Sequence, residues 1–169
     1  QSTQGTKALL FDRDGMLLQR KDLPHKQIIN EKGWVSHDPE EIYQNTVQVV
    51  KNLVEESGIS KESVKGIGIS NQRETSLIWE KKNGKALANA VVWQCARAAE
   101  ICRRVEQTGA AEMIRQKTGL ALSPYFPASK LAWLKENVEG AEALAKKHAL
   151  CFGTIDTWLV YRMTHGMSY

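Results

Sequence analysis

The sequence predicts an α/β fold, a mixed β-sheet with flanking helices, and three observations carry that expectation. Short β-rich apolar runs open the chain and then alternate with stretches of helical periodicity, the order of an α/β domain. The 169 residues are 42% hydrophobic and 25% charged, which is ordinary globular composition. At that length one domain is the default, and folding buries about 70% of the unfolded surface, enough for a core without staples.

The elements follow in order. Two apolar runs, residues 8–11 and 16–18, bracket Asp12-Arg13-Asp14-Gly15 and read as a hairpin. The clearest helix begins at Asp38, with Pro39 at its first position and Glu41 placed for a capping box. Ile42, Thr46, Val49, Val50 and Leu53 recur at helical spacing, and Gly58 marks the stop. Residues 64–70, VKGIGIS, read as a buried strand. Residues 76–80, a turn at 81–84 and a run ending at Val91-Val92-Trp93 suggest a second hairpin. Residues 97–106 and 110–117 read as helices that stop near Gly109 and Gly119. Helices are expected again from Ser129, over 141–148 and over 154–163, with a short strand at 149–152.

Charge and cysteine usage exclude several classes. Lys+Arg is 23 against 19 Asp+Glu, a net charge of +4 without a basic run, so no nucleic-acid partner is expected. No apolar stretch approaches the roughly 20 residues of a membrane-spanning helix, and no membrane partner is expected. No charged leader with an apolar run opens the chain, so secretion has no support. Cys95, Cys102 and Cys151 make an odd set without a CxxC pair, which argues against a disulfide framework or a zinc knuckle. Free thiols suit a reducing compartment, and a cytoplasmic protein is expected. His25, His37, His148 and His165 lack metal-like spacing and read as structural or solvated, so no metal site is expected from them.

Three stretches invite chemistry. Residues 1–7, QSTQGTK, offer backbone N–H groups, Thr hydroxyls and a lysine that suit phosphate oxygens, although the spacing is not that of a Walker loop. A frayed terminus is the plainer reading of that segment. The Asp12-x-Asp14-Gly15 run resembles the opening of haloacid dehalogenase-like phosphatases, whose two aspartates act as nucleophile and general acid/base. Met16 stands where those enzymes carry Thr, and a solvated Asp-Gly turn explains the run better. Asn71-Gln72-Arg73-Glu74-Thr75 follows the expected strand 64–70. Polar residues at a strand mouth sit where α/β ligands bind, and Arg73 with Glu74 both donates and accepts, as vicinal hydroxyls require. A local salt bridge fits the same residues equally well. Trp93 and Tyr125-Phe126 are candidate apolar walls for a small polar ligand, with core packing the alternative.

Together these pieces resemble the FGGY carbohydrate kinases, and within them the glycerol kinases most closely. QSTQGTK, GWVSHDPEEIY, GIGISNQRETSLIWE, VVWQCAR, TGLALSPYF and FGTIDTWLVYRMT resemble family blocks in the family's order. YFPASKLAWLKEN resembles the family signature, with Lys130, Trp133, Glu136 and Asn137 in place. The resemblance implies an actin-like, ribonuclease-H-like two-domain ATPase, of which residues 1–169 are part of the first, polyol-binding domain, with the second domain absent. It implies ATP-dependent phosphorylation of a small polyol or sugar, glycerol foremost, with ATP and Mg²⁺ as cofactors. Arg73, Glu74, Trp93 and Tyr125 match the substrate-contacting residues. Thr3 and Gln4 fall where the family loop meets the ATP phosphates, and Lys7 falls where glycerol kinases carry Arg. No residue matches the catalytic base, which is expected outside this chain, so the fragment alone is expected to be inactive. The loop STQGTK replaces the GTTSSR of glycerol kinases, Ala96 replaces the first of an Arg pair, and Ser123 replaces a frequent Asp. Two rivals stand beside the kinase: a phosphatase using Asp12 and Asp14, and a non-catalytic polyol-binding module. Oligomerisation of the full-length enzyme is left open.

Overall fold

In the computed structural model, which describes residues 1–168, a hairpin opens the chain. Strand β1 (Gly5–Phe11) pairs antiparallel with β2 (Leu17–Pro24). Asp12 turns the chain, its Oδ1 accepting the backbone N–H groups of Asp14 and Met16 at 2.9 Å each. Gly15 supplies the left-handed conformation this turn needs, at φ 80°. Ala8 packs with Val49 and Leu53 of helix α1 (Pro39–Ser57), which seats the hairpin on that helix. At the base of the hairpin the strands close so tightly that a Cβ on Gly5 would lie 2.6 Å from the Leu23 carbonyl oxygen.

A second sheet runs β3 (Ile28–Ile29), β4 (Val35–His37), β6 (Ala90–Val91), β5 (Ser76–Glu80) and β7 (Leu150–Thr154) in spatial order. Ser76 to Trp79 of β5 are buried, and their side chains alternate between two cores. Leu77 and Trp79 pack with Ile42 of α1 and with Ile155, Trp158 and Leu159 of α6 (Ile155–Met163). Ile78 joins Val35, Val92, Leu134 of α4 (Pro127–Asn137) and Ala141 of α5 (Ala141–Lys146). Helices therefore cover both faces of the sheet. Between them in sequence lie α2 (Ala99–Gln107) and α3 (Ala111–Thr118), the latter closed by Gly119 at φ 73°.

Three expectations change. The Asp38 cap forms, with its carboxylate accepting the Glu40 N–H at 2.8 Å, but the reciprocal half of the capping box does not. The Glu41 carboxylate instead accepts the N–H of Lys26 at 3.3 Å, because the chain after β2 runs within its reach. Helix α4 opens on Pro127, two residues ahead of Ser129, whose hydroxyl donates to the Phe126 carbonyl at 3.1 Å. Residues 64–70 form no strand: no strand pairs with them among the described residues, the Gln1 ammonium alone reaches the Ser70 carbonyl at 2.6 Å, and Ile67 is 67% exposed. With that segment unpaired, every strand pairing among the described residues is antiparallel.

Candidate functional site

Because β5 and β6 are antiparallel with Ser76 opposite Val91, the start of β5 and the end of β6 share one edge of the sheet. Residues 71–75 lead into that start, and Trp93 lies two residues beyond that end. The polar stretch thus sits at the amino end of β5, not beyond a strand at 64–70 as the sequence suggested. The Trp93 N–H donates to Thr75 Oγ1 at 3.1 Å and ties the two segments together. Asn71 anchors the stretch on the other side, donating to Asp156 of α6 at 2.8 Å.

Glu74 holds φ 61°, a left-handed backbone that is uncommon outside glycine. Its half-buried carboxylate accepts the Tyr125 hydroxyl at 3.3 Å. Tyr125 lies edge-on to Trp93, ring centroids 6.1 Å apart, and to Phe126 at 5.1 Å. Three of the four expected substrate residues therefore meet. Arg73 is adjacent and exposed, and its side chain makes no hydrogen bond or ion pair among the described residues. Arg97, by contrast, is held in the protein: it donates to the Val35 carbonyl at 3.0 Å and Ser36 Oγ at 2.6 Å and lies against Trp34 and Trp133.

Lys130 is the residue that sequence reasoning underweighted. It is 0% exposed, and its Nζ donates to the carbonyl oxygens of Pro124, at 2.8 Å, and Tyr125. It thereby pins the loop that presents the tyrosine. Burial lowers its pKa to about 8, while the Glu74 charge acts in the opposite sense. The sequence did carry a signal: Lys130 lies four residues before Leu134, on the buried face of α4.

The segment at Thr3 abuts this cluster. Ser2 closes a tight turn by donating its N–H and Oγ to the Gly5 carbonyl at 2.8 and 2.9 Å. The Trp93 indole N–H donates to Thr3 Oγ1 at 3.0 Å. Gln4 and Lys7 are exposed, and the Lys7 ammonium stands 3.5 Å from Ser2 Oγ. Two cavities, of about 410 and 400 Å³, lie elsewhere. One is bordered by Asp38, Asn83 and Arg162, the other by Leu131, His148 and Phe152. The Glu74–Tyr125 cluster lines neither, and Tyr125 is 39% exposed beside the exposed Arg73. Asp14 is exposed and Asp12 is engaged in its turn, which accounts for the Asp-x-Asp run without phosphatase chemistry.

Solved sugar-kinase structures define the class. The chain superposes on the glycerol kinase of Plasmodium falciparum with ADP at TM-score 0.89 and 35% identity, covering 100% of this chain and 34% of that one. A gluconate kinase from Lactobacillus acidophilus shares the fold at TM-score 0.80 and 23% identity over 95% of this chain and 31% of its own. These are actin-like ATPase folds. The sequence profile of the FGGY carbohydrate kinases, N-terminal domain, matches residues 1–168, and the chain belongs to that family. Glycerol kinase 1 of Thermotoga maritima is 48% identical over 98% of this chain and 34% of its own length. The glycerol kinase of Thermoanaerobacter pseudethanolicus is 45% identical over 98% of this chain and 33% of its own. The chain thus spans about one third of the length of these relatives.

Proposed function

We propose that this chain is the acceptor-binding part of an ATP-dependent kinase of small polyols, with glycerol the foremost substrate. The observation that carries the reading is the Glu74 carboxylate meeting the Tyr125 hydroxyl beside Trp93, with Arg73 and Tyr125 exposed to solvent. A vicinal diol needs an acceptor and a donor held together. Glu74 accepts, the unengaged Arg73 guanidinium donates, and Trp93 with Tyr125 flanks the carbon chain. Lys130 holds Tyr125 in place by gripping its loop. These groups orient one hydroxyl for attack, and orientation is a large part of what such an enzyme contributes.

Thr3 and Gln4 are proposed to face the ATP phosphates, with Lys7 nearby. Mg²⁺ neutralises phosphoryl charge in kinases of this kind. Among the described residues no group of three His, Cys, Asp or Glu gathers to hold an ion, so no step is assigned to the ion on this chain. The catalytic base is proposed to come from outside these 169 residues. No helix among the described residues is long and apolar enough to cross a membrane.

The test is a titration of ¹⁵N-labelled residues 1–169 with glycerol. The Trp93 indole and Glu74 amide signals should move together and saturate, and Glu74→Ala should abolish the shift. Unmoved signals with glycerol and with other small polyols would sink the reading. A coupled ADP-release assay should detect no polyol-dependent turnover by this chain alone.

A further inference from the structure

Beside the site lies a cluster of buried polar groups, His25, His37, Gln72 and Thr75, that the proposed function leaves unused. His25 Nε2 lies 3.0 Å from the Thr3 carbonyl oxygen, an acceptor only, so Nε2 carries the proton and Nδ1 is a bare lone pair. Thr75 Oγ1 donates to Gln72 Oε1 at 3.0 Å, which leaves the Gln72 amide to donate to His37 Nδ1 at 3.1 Å. That bond places the His37 proton on Nε2. The two rings meet edge-on, centroids 4.6 Å apart. His25 Nδ1 and His37 Nε2 are both buried without a hydrogen-bond partner among the described residues, one an acceptor and the other a donor. Hydrogen bonds run in one direction from the Trp93 N–H to Thr75, from Thr75 to Gln72, and from Gln72 to His37, while His25 donates separately to the Thr3 carbonyl and meets His37 only as a ring contact. The Trp93 indole donates directly to Thr3 Oγ1.

Two features make the cluster more than filler. It holds Trp93 at two points, backbone and indole, so neither end of that residue moves alone. It also spans five separate segments of chain, with Gln72 donating further to the Ser2 carbonyl at 3.4 Å. Hydrogen bonds joined in this way in a low-dielectric interior reinforce one another. Burial, reinforced by the neighbouring His25, lowers the His37 pKa to about 4, which keeps its Nδ1 an acceptor in neutral solution.

We propose that Gln72, Thr75, His37 and His25 are positioning residues that lock the wall at Trp93 to the turn at Thr3, so that polyol binding and phosphate binding each favour the other. The inference rests on the reading that Trp93 borders the polyol and Thr3 the phosphates. By linkage the effect is reciprocal: whatever factor the nucleotide applies to polyol affinity, the polyol applies to nucleotide affinity.

The experiment measures glycerol Kd in the intact kinase that carries this chain, with and without a non-hydrolysable ATP analogue. Thr75→Val removes the hydroxyl that joins Trp93 to Gln72 and should shrink the analogue's effect on glycerol Kd by about fivefold or more. Thr75→Ser keeps the hydroxyl and should retain the effect within about twofold. His25→Leu removes the bond to the Thr3 carbonyl and should reproduce the loss, which keeps the test available if Thr75→Val does not fold. A cluster that serves only stability would weaken both ligands while leaving their mutual factor intact. That result in either folded variant overturns the proposal and leaves the polyol-kinase reading standing. A wild-type enzyme that binds no polyol overturns both.

Discussion

Glu74 combines a strained backbone with the carboxylate that meets Tyr125. Strain kept where a ligand group is presented is a hallmark of functional positions. Under the proposed function, Glu74→Ala in the full-length protein should lower kcat/KM for glycerol about five- to 150-fold, the equivalent of about 1–3 kcal/mol for an unmatched polar group. The KM for ATP should barely move, which steady-state kinetics with each substrate varied will check. Glu74→Gly should be as impaired in activity but more stable than Glu74→Ala by about 1 kcal/mol in urea melts, since glycine accepts φ 61° without cost. Lys130 gives a pH signature. Its folded pKa, about 8, lies below the ordinary 10.5. Between those values the unfolded chain holds more protons than the folded one, so the lysine's contribution makes stability rise with pH across that window. Below about pH 8 both states are charged and the full cost of the buried ammonium remains. The difference in melting temperature between wild type and Lys130→Met should vary across that window and be flat below it.

At the scale of elements, the start of α1 and the join between β7 and α6 are the points most sensitive to single changes. Asp38 caps the start of α1 by itself among the described residues, because Glu41 is turned toward Lys26. Asp38→Ala should cost about 1 kcal/mol in chemical denaturation. Gly153 in β7 has Thr157 against it, and a Cβ would lie 2.7 Å from the threonine side chain. Gly153→Ala should cost about 1–3 kcal/mol by overpacking, and Gly153→Ala with Thr157→Ser should recover part of it. The join of β7 and α6 supports the site, since Ser76 at the start of β5 is flanked by Thr154 of β7 and Val91 of β6.

Across the whole molecule, protection should be uneven. The amides of β5 are enclosed between two helical layers, whereas residues 64–70 have no strand beside them among the described residues. Hydrogen exchange read by mass spectrometry should show residues 64–70 exchanging near the unprotected rate while residues 77–79 remain protected. Slow exchange throughout 64–70 in a monomer would contradict the arrangement. The β-rich run VKGIGIS reads as a strand, yet a strand exists only when another backbone supplies its hydrogen bonds, and that partner is not written in the segment itself.

The sequence by itself determined the pieces whose physics is local. The Asp-Gly turn, the Asp38 cap with Pro39, the stops at Gly58 and Gly119, and the buried run of β5 all follow from neighbours within a few residues. The order of its blocks also pointed to the family, and with it to Glu74, Trp93 and Tyr125. Only the tertiary structure decided that Glu74 adopts φ 61°, that Lys130 is buried beneath Tyr125, and that Trp93 reaches Thr3 across 90 positions of chain. Only there do His25, His37, Gln72 and Thr75 become one cluster. Such contacts depend on how the hairpin, the sheet edge and the α4 loop dock together, and docking is settled by the summed packing of distant surfaces rather than by any short run of residues.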